Sequence, residues 1–382
     1  MSGPLHGIRV VDMTRALAGP YATLMLADAG ADVIKIERPG TGDDTRGWGP
    51  PFLEPPDGGT TESSYFLSAN RNKRSIALDL KDPGHQRRLR DLIAEADVLA
   101  ENFRPGVMER LGLGPDALGQ LNPRLVVLSI TGFGEGGPQG ERAGFDQIAQ
   151  GEAGLMSFTG PVGGPPTKAG MPISDILAGM FGAYGVASAL VERERTGKGQ
   201  RVATSLLASS VAVHVFQGTR WLLGGHVPEP EGNRHPSIAP YGAYEVSDGL
   251  IIVAVGSEGL WRRFAPLVEV DPTDARFATN SDRVTNVDAL EEAMAPALRR
   301  ATADVWMARL DAAGIPAGRV RSLDEVYANA QIAHLQMIDE VEHPTLGPLR
   351  LPGAPVRFSR SQRDDPRPPP VLDEHHDEGW LQ

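Results

Sequence analysis

Cysteine is absent from the 382 residues of this chain. That removes disulfides, thiolate metal sites and cysteine nucleophiles together, and it suits a reducing compartment. A positive excess is missing too. Thirty-seven Lys and Arg face 49 Asp and Glu, a formal net charge of −12, whereas a general nucleic-acid binder needs a dominant basic footprint. No uninterrupted apolar run looks long enough to span a bilayer; the nearest, Ile176 to Leu190, is short and rich in Gly and Ala. The first residues, MSGPLHGIRVVDMTR, lack the basic region and apolar stretch of a signal peptide. The expectation is a cytoplasmic protein with neither nucleic acid nor membrane as partner. No G-x-S-x-G motif occurs, so a Ser/His/Asp hydrolase is unsupported. The one histidine cluster, His375-His376 beside Asp373 and Asp377, reads as solvated chain, so no metal site is expected.

What is present is globular. Hydrophobic residues make up 41% and charged residues 23%, and the length suggests two domains. Short strands at Ile8–Met13, Asp32–Glu37, Val98–Glu101 and Leu125–Ile130 alternate with helical stretches at Pro20–Ala29 and Gly84–Ala96. That alternation predicts α/β architecture with a Rossmann-like parallel sheet. A long helix is expected over Asp175–Thr196, stopped by Gly197. Residues 225–240 are Gly/Pro-rich and aperiodic. A second, smaller α/β unit then follows, with a strand at Leu250–Val255 and helices near Ala289–Arg300 and Ala303–Ala313. The domain reading is 1–205 for the large unit, 206–230 as linker, 231–322 for the small unit and 323–382 as a C-terminal segment, its last stretch an extended strap leading into a short helix.

A nicotinamide site fits poorly. The first strand–helix turn reads Ala16-Leu17-Ala18-Gly19-Pro20-Tyr21 where G-x-G-x-x-G is needed, and Pro20 removes an amide that would hold a pyrophosphate. Positive charge is nonetheless concentrated locally. Ser68 to Arg90 holds seven basic residues against two acids, Asp79 and Asp82, a local +5. Arg38 and Arg104 follow strand ends, where arginines suit a phosphorylated ligand. Arg87, Arg88 and Arg90 read as a solvated helix face. Asp175 stands at the mouth of the long helix. Either it is an N-cap and no more, or, ionised and oriented, it is a nucleophile toward an activated acyl group.

Several segments are similar to the family III CoA-transferases, which include formyl-CoA transferase and carnitine CoA-transferase. They are Leu5–Pro50, NRNKRSIALDLKDP (Asn70–Pro83), ADVLAENFRPGVMERLGLG (Ala96–Gly114), NPRLVVLSITGFGEGGP (Asn122–Pro138) and GMPISDILAGMFGAYGVASALVERERTGKGQRV (Gly170–Val202). The resemblance covers almost the whole chain and is weakest around residues 255–300. It implies a large domain completed by the returning C-terminal segment, and a homodimer of interlocked chains. It implies an acyl-CoA and a small carboxylic acid as substrates, with coenzyme A carried as substrate and no prosthetic group. Asp175 matches the family's nucleophile. Arg38 matches a CoA-phosphate arginine; Leu78, Asp79, Leu80 and Lys81 match the adenosine end; Asn102, Phe103, Arg104 and Arg110 match further CoA contacts. Leu17 and Ala18 fall where the acyl group lies, but Leu17 stands in place of the glutamine of formyl-CoA transferase, which argues against formate or oxalate specificity. Phe145 replaces the histidine of the racemase branch, which argues against α-proton exchange. An acyl-CoA isomerase on the same scaffold, or a CoA-binding protein without catalysis, are the alternatives. In place of the family's glycine-rich loop stands Gly232–Gly249, similar to members that use succinyl-CoA; its Arg234 and His235 either meet an acceptor carboxylate or shape the loop.

Overall fold

The computed structural model describes residues 3–361 and 363–381. Two compact units are present, one formed by Met1–Met156, Lys168–His226 and Ala330–Gln382, the other by Ser157–Thr167 and Val227–Asn329.

The first unit is built on a six-stranded sheet: β1 (Arg9–Asp12), β2 (Asp32–Glu37), β3 (Lys73–Ala77), β4 (Val98–Glu101), β5 (Val126–Thr131) and β6 (Arg201–Ser205). All neighbours pair in parallel, and the spatial order is β3-β2-β1-β4-β5-β6. This is the 3-2-1-4-5-6 order of a doubly wound sheet, which reverses between β1 and β4. Ligands of such sheets bind outside the strands' carboxyl ends near that reversal. The β1 core residues Val10 and Val11 and the β4 residues Val98, Leu99 and Ala100 are fully buried, as a sheet covered on both faces requires.

On one face lie α1 (Ala18–Asp28) and α4 (Ile173–Thr196), on the other α2 (Pro83–Ala94). By length and mean hydropathy α4 is long enough and apolar enough to cross a membrane, contrary to the reading of its sequence run as too short. In this unit it is a core helix. Ala178, Ala183, Val186 and Ala189 are buried with α1 and β5. Gly179 permits the close approach to α1, since a Cβ there would lie 2.7 Å from the Ala18 carbonyl oxygen.

The structure departs from the sequence reading in three further places. Residues 206–224 are not linker but two helices, α5 (Leu206–Ala212) and α6 (Val215–Gly224). The Ser205 hydroxyl caps α5 by accepting from the Ala208 amide, and Leu206 is buried in the core; the Gly/Pro punctuation begins only at Gly224. Residues 372–377 form turns and no helix. The polar groups of this segment are spent on the β3 edge instead: Asp373 accepts from the Ala77 amide, and the His375 amide donates to the Ser75 carbonyl. Third, Asp175 does not cap α4. The helix begins at Ile173 behind Pro172, which puts Asp175 inside the first turn.

In the second unit β7 (Tyr241–Val246), β8 (Gly249–Ala254) and β9 (Ala317–Arg319) form an antiparallel sheet in the order β9-β8-β7. Ile251 and Val253 of β8 pack with Trp261, Phe264 and Trp306 under helices α7 (Val287–Leu298) and α8 (Ala303–Ala312).

Candidate active site

A cavity of about 690 Å³ opens at the carboxyl ends of β1, β2, β3 and β4. Arg38, Leu78, Asp79, Leu80, Lys81, Phe103, Arg104 and Arg110 all line it, so the structure gathers eight of the nine CoA contacts expected from the sequence. The ninth, Asn102, is occupied elsewhere. Its side chain accepts from the Arg15 amide at 2.8 Å and donates to the Arg15 carbonyl at 2.7 Å, tying β4's end to the turn after β1. The Arg15 guanidinium lies 5.4 Å from the centre of the Phe103 ring. Arg38, Lys81, Arg104 and Arg110 are exposed at the cavity and face solvent there. Cations so placed, above all the arginines, suit phosphate oxygens.

The basic stretch 68–90 contributes less than its charge suggests. Arg71 pairs with Asp28 and Asp339, Lys73 with Asp12 at 3.1 Å, and Arg74 with Asp32 at 2.6 Å, all buried. Those cations neutralise carboxylates of the unit's interior and its near surface. Of the stretch's basic residues, Lys81 is the one that reaches the cavity.

The nucleophile expected from the sequence lies on α4. Asp146, on the seven-residue helix α3 (Asp146–Glu152), supplies the cap that Asp175 does not. Its Oδ1 accepts from the Ser174 amide at 2.8 Å and the Asp175 amide at 3.4 Å. Its Oδ2 accepts from Gln150 Nε2 at 2.7 Å, and Gln150 Oε1 in turn accepts from the Ala169 amide at 2.9 Å. The hydroxyls of Ser174 and Ser210 are 2.8 Å apart. The first turn of α4 is therefore gripped by α3 and α5. Burial pushes the Asp175 carboxyl up to about 7, and the charge of Asp146 adds to the effect. A carboxyl with that pKa is half ionised at neutral pH and is a better nucleophile, once ionised, than an ordinary carboxylate. Tyr65 belongs to the same constellation. Burial, then the charges of Asp175 and Asp146, hold its phenol protonated up to about 12, and its ring meets Trp48 edge-on at 5.2 Å. Gln150 and Tyr65 carried no sequence signal, and Asp146 stood out only as the aspartate after Phe145 in a family-like segment, because the contacts that give the three their roles join separate segments. Leu17 and Ala18 are buried at the start of α1, and Ala18 is the residue against which Gly179, one turn after Asp175, is packed.

Arg234 and His235 are engaged within the second unit. Arg234 forms a two-pronged contact with Glu291 at 3.0 and 2.5 Å and a bridge to Asp288 at 2.8 Å. His235 stacks on Tyr241 at 5.0 Å, and its Nδ1 accepts from the Ser237 amide. These contacts tie Arg234 to α7 and His235 to its own loop and to Tyr241.

A doubly wound sheet with a cation-lined crevice at its reversal point, in the same unit as a helix-mouth carboxylate, is an arrangement that suits a phosphorylated ligand. The family model of CoA-transferase family III matches residues 5–376, and the chain belongs to that family. It is 39% identical over 374 residues to the succinyl-CoA:glutarate CoA-transferase of Mus musculus, covering 97% of this chain and 84% of that one. It is also 39% identical over 376 residues to the acetyl-CoA:oxalate CoA-transferase of Acetobacter aceti, covering 97% and 94%. The solved structure of a CAIB/BAIF family protein from Brucella suis superposes with a TM-score of 0.88 at 39% identity and covers 98% of each chain. The chain is a CoA-transferase whose substrates are an acyl-CoA and a carboxylic acid.

Proposed function

We propose that this enzyme moves CoA between two dicarboxylic acids through covalent intermediates on Asp175. The observation that carries the chemistry is the largely buried Asp175 carboxylate, held in the first turn of α4 by Asp146. The ionised Asp175 oxygen attacks the thioester carbonyl, the C–S bond breaks, and CoA leaves as thiolate from a mixed anhydride. The thiolate then attacks the aspartyl carbonyl and releases the donor acid, leaving an aspartyl-CoA thioester. The acceptor carboxylate attacks that thioester, and the freed thiolate takes the acyl group from the second anhydride, restoring Asp175. Each step exchanges one activated acyl bond for another, so no external energy source is needed, and a CoA held by its nucleotide end re-attacks without leaving. Arg38, Lys81, Arg104 and Arg110 hold the phosphorylated end in the cavity that they line.

The dicarboxylate class is supported by the succinyl-CoA and glutarate in the name of one relative and by the likeness of the Gly232–Gly249 loop to members that use succinyl-CoA. The working form is a homodimer. Its support is the row of exposed apolar side chains on α4, α5 and α6, including Tyr184, Val191, Val211, Trp221, Leu222 and Leu223, a face too apolar to be left to water. The compartment proposed is the cytoplasm.

The test is a substrate panel: succinyl-CoA and acetyl-CoA as donors, with glutarate, oxalate, other dicarboxylates and monocarboxylates as acceptors, and product masses recorded. The fastest pair is expected to have a dicarboxylate acceptor. Turnover confined to monocarboxylates contradicts the class, and deuterium uptake at the α-carbon without CoA exchange contradicts the reaction.

A further inference from the structure

At the floor of the cavity, with Lys35 and Asp43 among its lining residues and Asp12 and Lys73 behind them, lies a group of charges that the mechanism above does not use. Asp12, Lys35, Asp43 and Lys73 come from the end of β1, from β2, from the loop after β2 and from β3, and their side chains are fully buried. Lys35 Nζ pairs with Asp43 Oδ2 at 2.8 Å, and Lys73 Nζ with Asp12 Oδ2 at 3.1 Å. Two acids and two bases balance, but burying four charges is an expensive way to fill a core. A well-packed apolar set often serves stability as well or better.

Other hydrogen bonds of the four reach Thr23, Thr45 and Asn70, but each of the four also bonds within the short segment from Thr14 to Pro20. Asp12 Oδ1 accepts from the Thr14 amide at 2.9 Å and from its hydroxyl at 2.5 Å, and Lys35 Nζ donates to the Thr14 carbonyl at 2.8 Å. Asp43 Oδ1 accepts from the Ala16 amide at 3.2 Å, and Lys73 Nζ donates to the Pro20 carbonyl at 2.8 Å. With Asn102 on both polar groups of Arg15, nearly every backbone polar group from Thr14 to Ala16 is held by a side chain from another element. The turn needs that grip. Ala16 sits at φ +64°, a left-handed conformation that disfavours alanine and persists only where its surroundings over-determine it. The turn also touches both halves of the site. Thr14 and Arg15 line the CoA cavity. Gly19 is pressed so tightly on Thr14 that a Cβ would lie 2.3 Å from the Thr14 Cβ, and Ala18 supports α4 at Gly179.

We propose that the Asp12–Lys73–Lys35–Asp43 cluster is a positioning device, which holds the strained Thr14–Leu17 turn so that the acyl end of a cavity-bound CoA thioester meets Asp175. Lys73 is its most telling member: it lines no part of the cavity, yet it fixes both Asp12 and the start of α1. The inference rests on the reading of Asp175 as nucleophile.

The test is a double-mutant cycle of Lys73→Met and Ala16→Gly, with the fastest donor–acceptor pair of the panel, CoA binding by calorimetry and melting temperature recorded together. Glycine adopts the left-handed conformation without strain, so it relaxes the turn's need for the cluster. Lys73→Met is expected to lower kcat on the order of 10- to 100-fold, a cost typical of a misplaced reacting group, while the Kd for CoA moves less than about threefold. In the Ala16→Gly background the same substitution is expected to cost less than about a third of that factor. An equal cost in both backgrounds, or a kcat at the parent value, overturns the proposal. Should Lys73→Met alone fail to fold, the charge-balanced pair Asp12→Asn with Lys73→Met serves instead. It removes both partners together, and it is expected to melt close to the parent yet still lose kcat; a normal kcat there overturns the proposal as well. Asp175→Ala run in parallel separates the two readings. Turnover surviving in that variant defeats the nucleophile, whereas a Lys73 effect independent of residue 16 defeats only the positioning device.

Discussion

Replacing Asp175 by alanine is expected to lower CoA transfer on the order of 10³-fold or more while CoA still binds with a Kd within about twofold of the parent. The size follows from the chemistry, because a covalent route loses its whole first step with its nucleophile. Retained binding follows from the geometry. The cations proposed to meet the phosphates, Arg38, Lys81, Arg104 and Arg110, lie around the cavity at the sheet's carboxyl edge, and Asp175 is not among its lining residues. Stopped assays with labelled acid and calorimetry with CoA measure the two quantities separately. Loss of both together would mean that Asp175 supports the fold, and loss of neither would mean that it is idle.

The second large effect concerns pH and stability. Burial and Asp146 raise the Asp175 carboxyl from 3.8 to about 7. Between those values the folded protein holds a proton that the unfolded chain has released, so stability falls as pH rises through that window. Across pH 5 to pH 8 the loss is roughly 2–3 kcal/mol. Asp175→Asn removes the titrating group, so its stability relative to the parent is expected to increase by about that amount from pH 5 to pH 8, read as a growing gap in denaturant midpoints. A gap that stays constant with pH contradicts the raised carboxyl. Activity has the opposite sign. In the proposed mechanism only the carboxylate attacks, so kcat/KM for the acyl-CoA is expected to rise with pH and level off above about 7. Asp146→Asn keeps an oxygen for the Ser174 and Asp175 amides but removes the repelling charge, and it is expected to move that rise to lower pH.

How much of this was legible in the sequence depends on whether a residue's role is local. β1, β2, β4 and β5 announce themselves as short apolar runs, and α4 by its Gly/Ala-rich face and the Gly197 stop. β3 does not. Its sequence KRSIA opens with two cations, and they are buried only because Asp32 waits on neighbouring β2 and Asp12 on β1 beyond it. β6, RVATS, is a half-exposed edge with no clear period. The same distinction runs through the site. Arg38, Leu78 to Lys81, Phe103, Arg104 and Arg110 sit in segments whose order along the chain could be matched, and the fold brings them to one cavity. Asn102 sits in the same motif but works as a strut for Arg15. Asp146 and Tyr65 reach Asp175 from 29 and 110 positions away, a pairing that no local pattern reveals. Asp175 shows the limit most clearly. Its place before an apolar helical run suggests a cap, but where the helix begins is decided by Pro172 and by a carboxylate from another helix.

The central claim is that Asp175 becomes acylated during turnover. Its most direct test is to incubate the enzyme with succinyl-CoA and hydroxylamine and to map the modified residue by peptide mass spectrometry. Hydroxylamine attacks the aspartyl carbonyl of the anhydride or thioester, releases the acid or CoA, and leaves a stable hydroxamate. A hydroxamate on the peptide containing Asp175, absent without succinyl-CoA, is the predicted result. Full CoA transfer with Asp175 unmodified, or a hydroxamate on a different carboxylate, would contradict it.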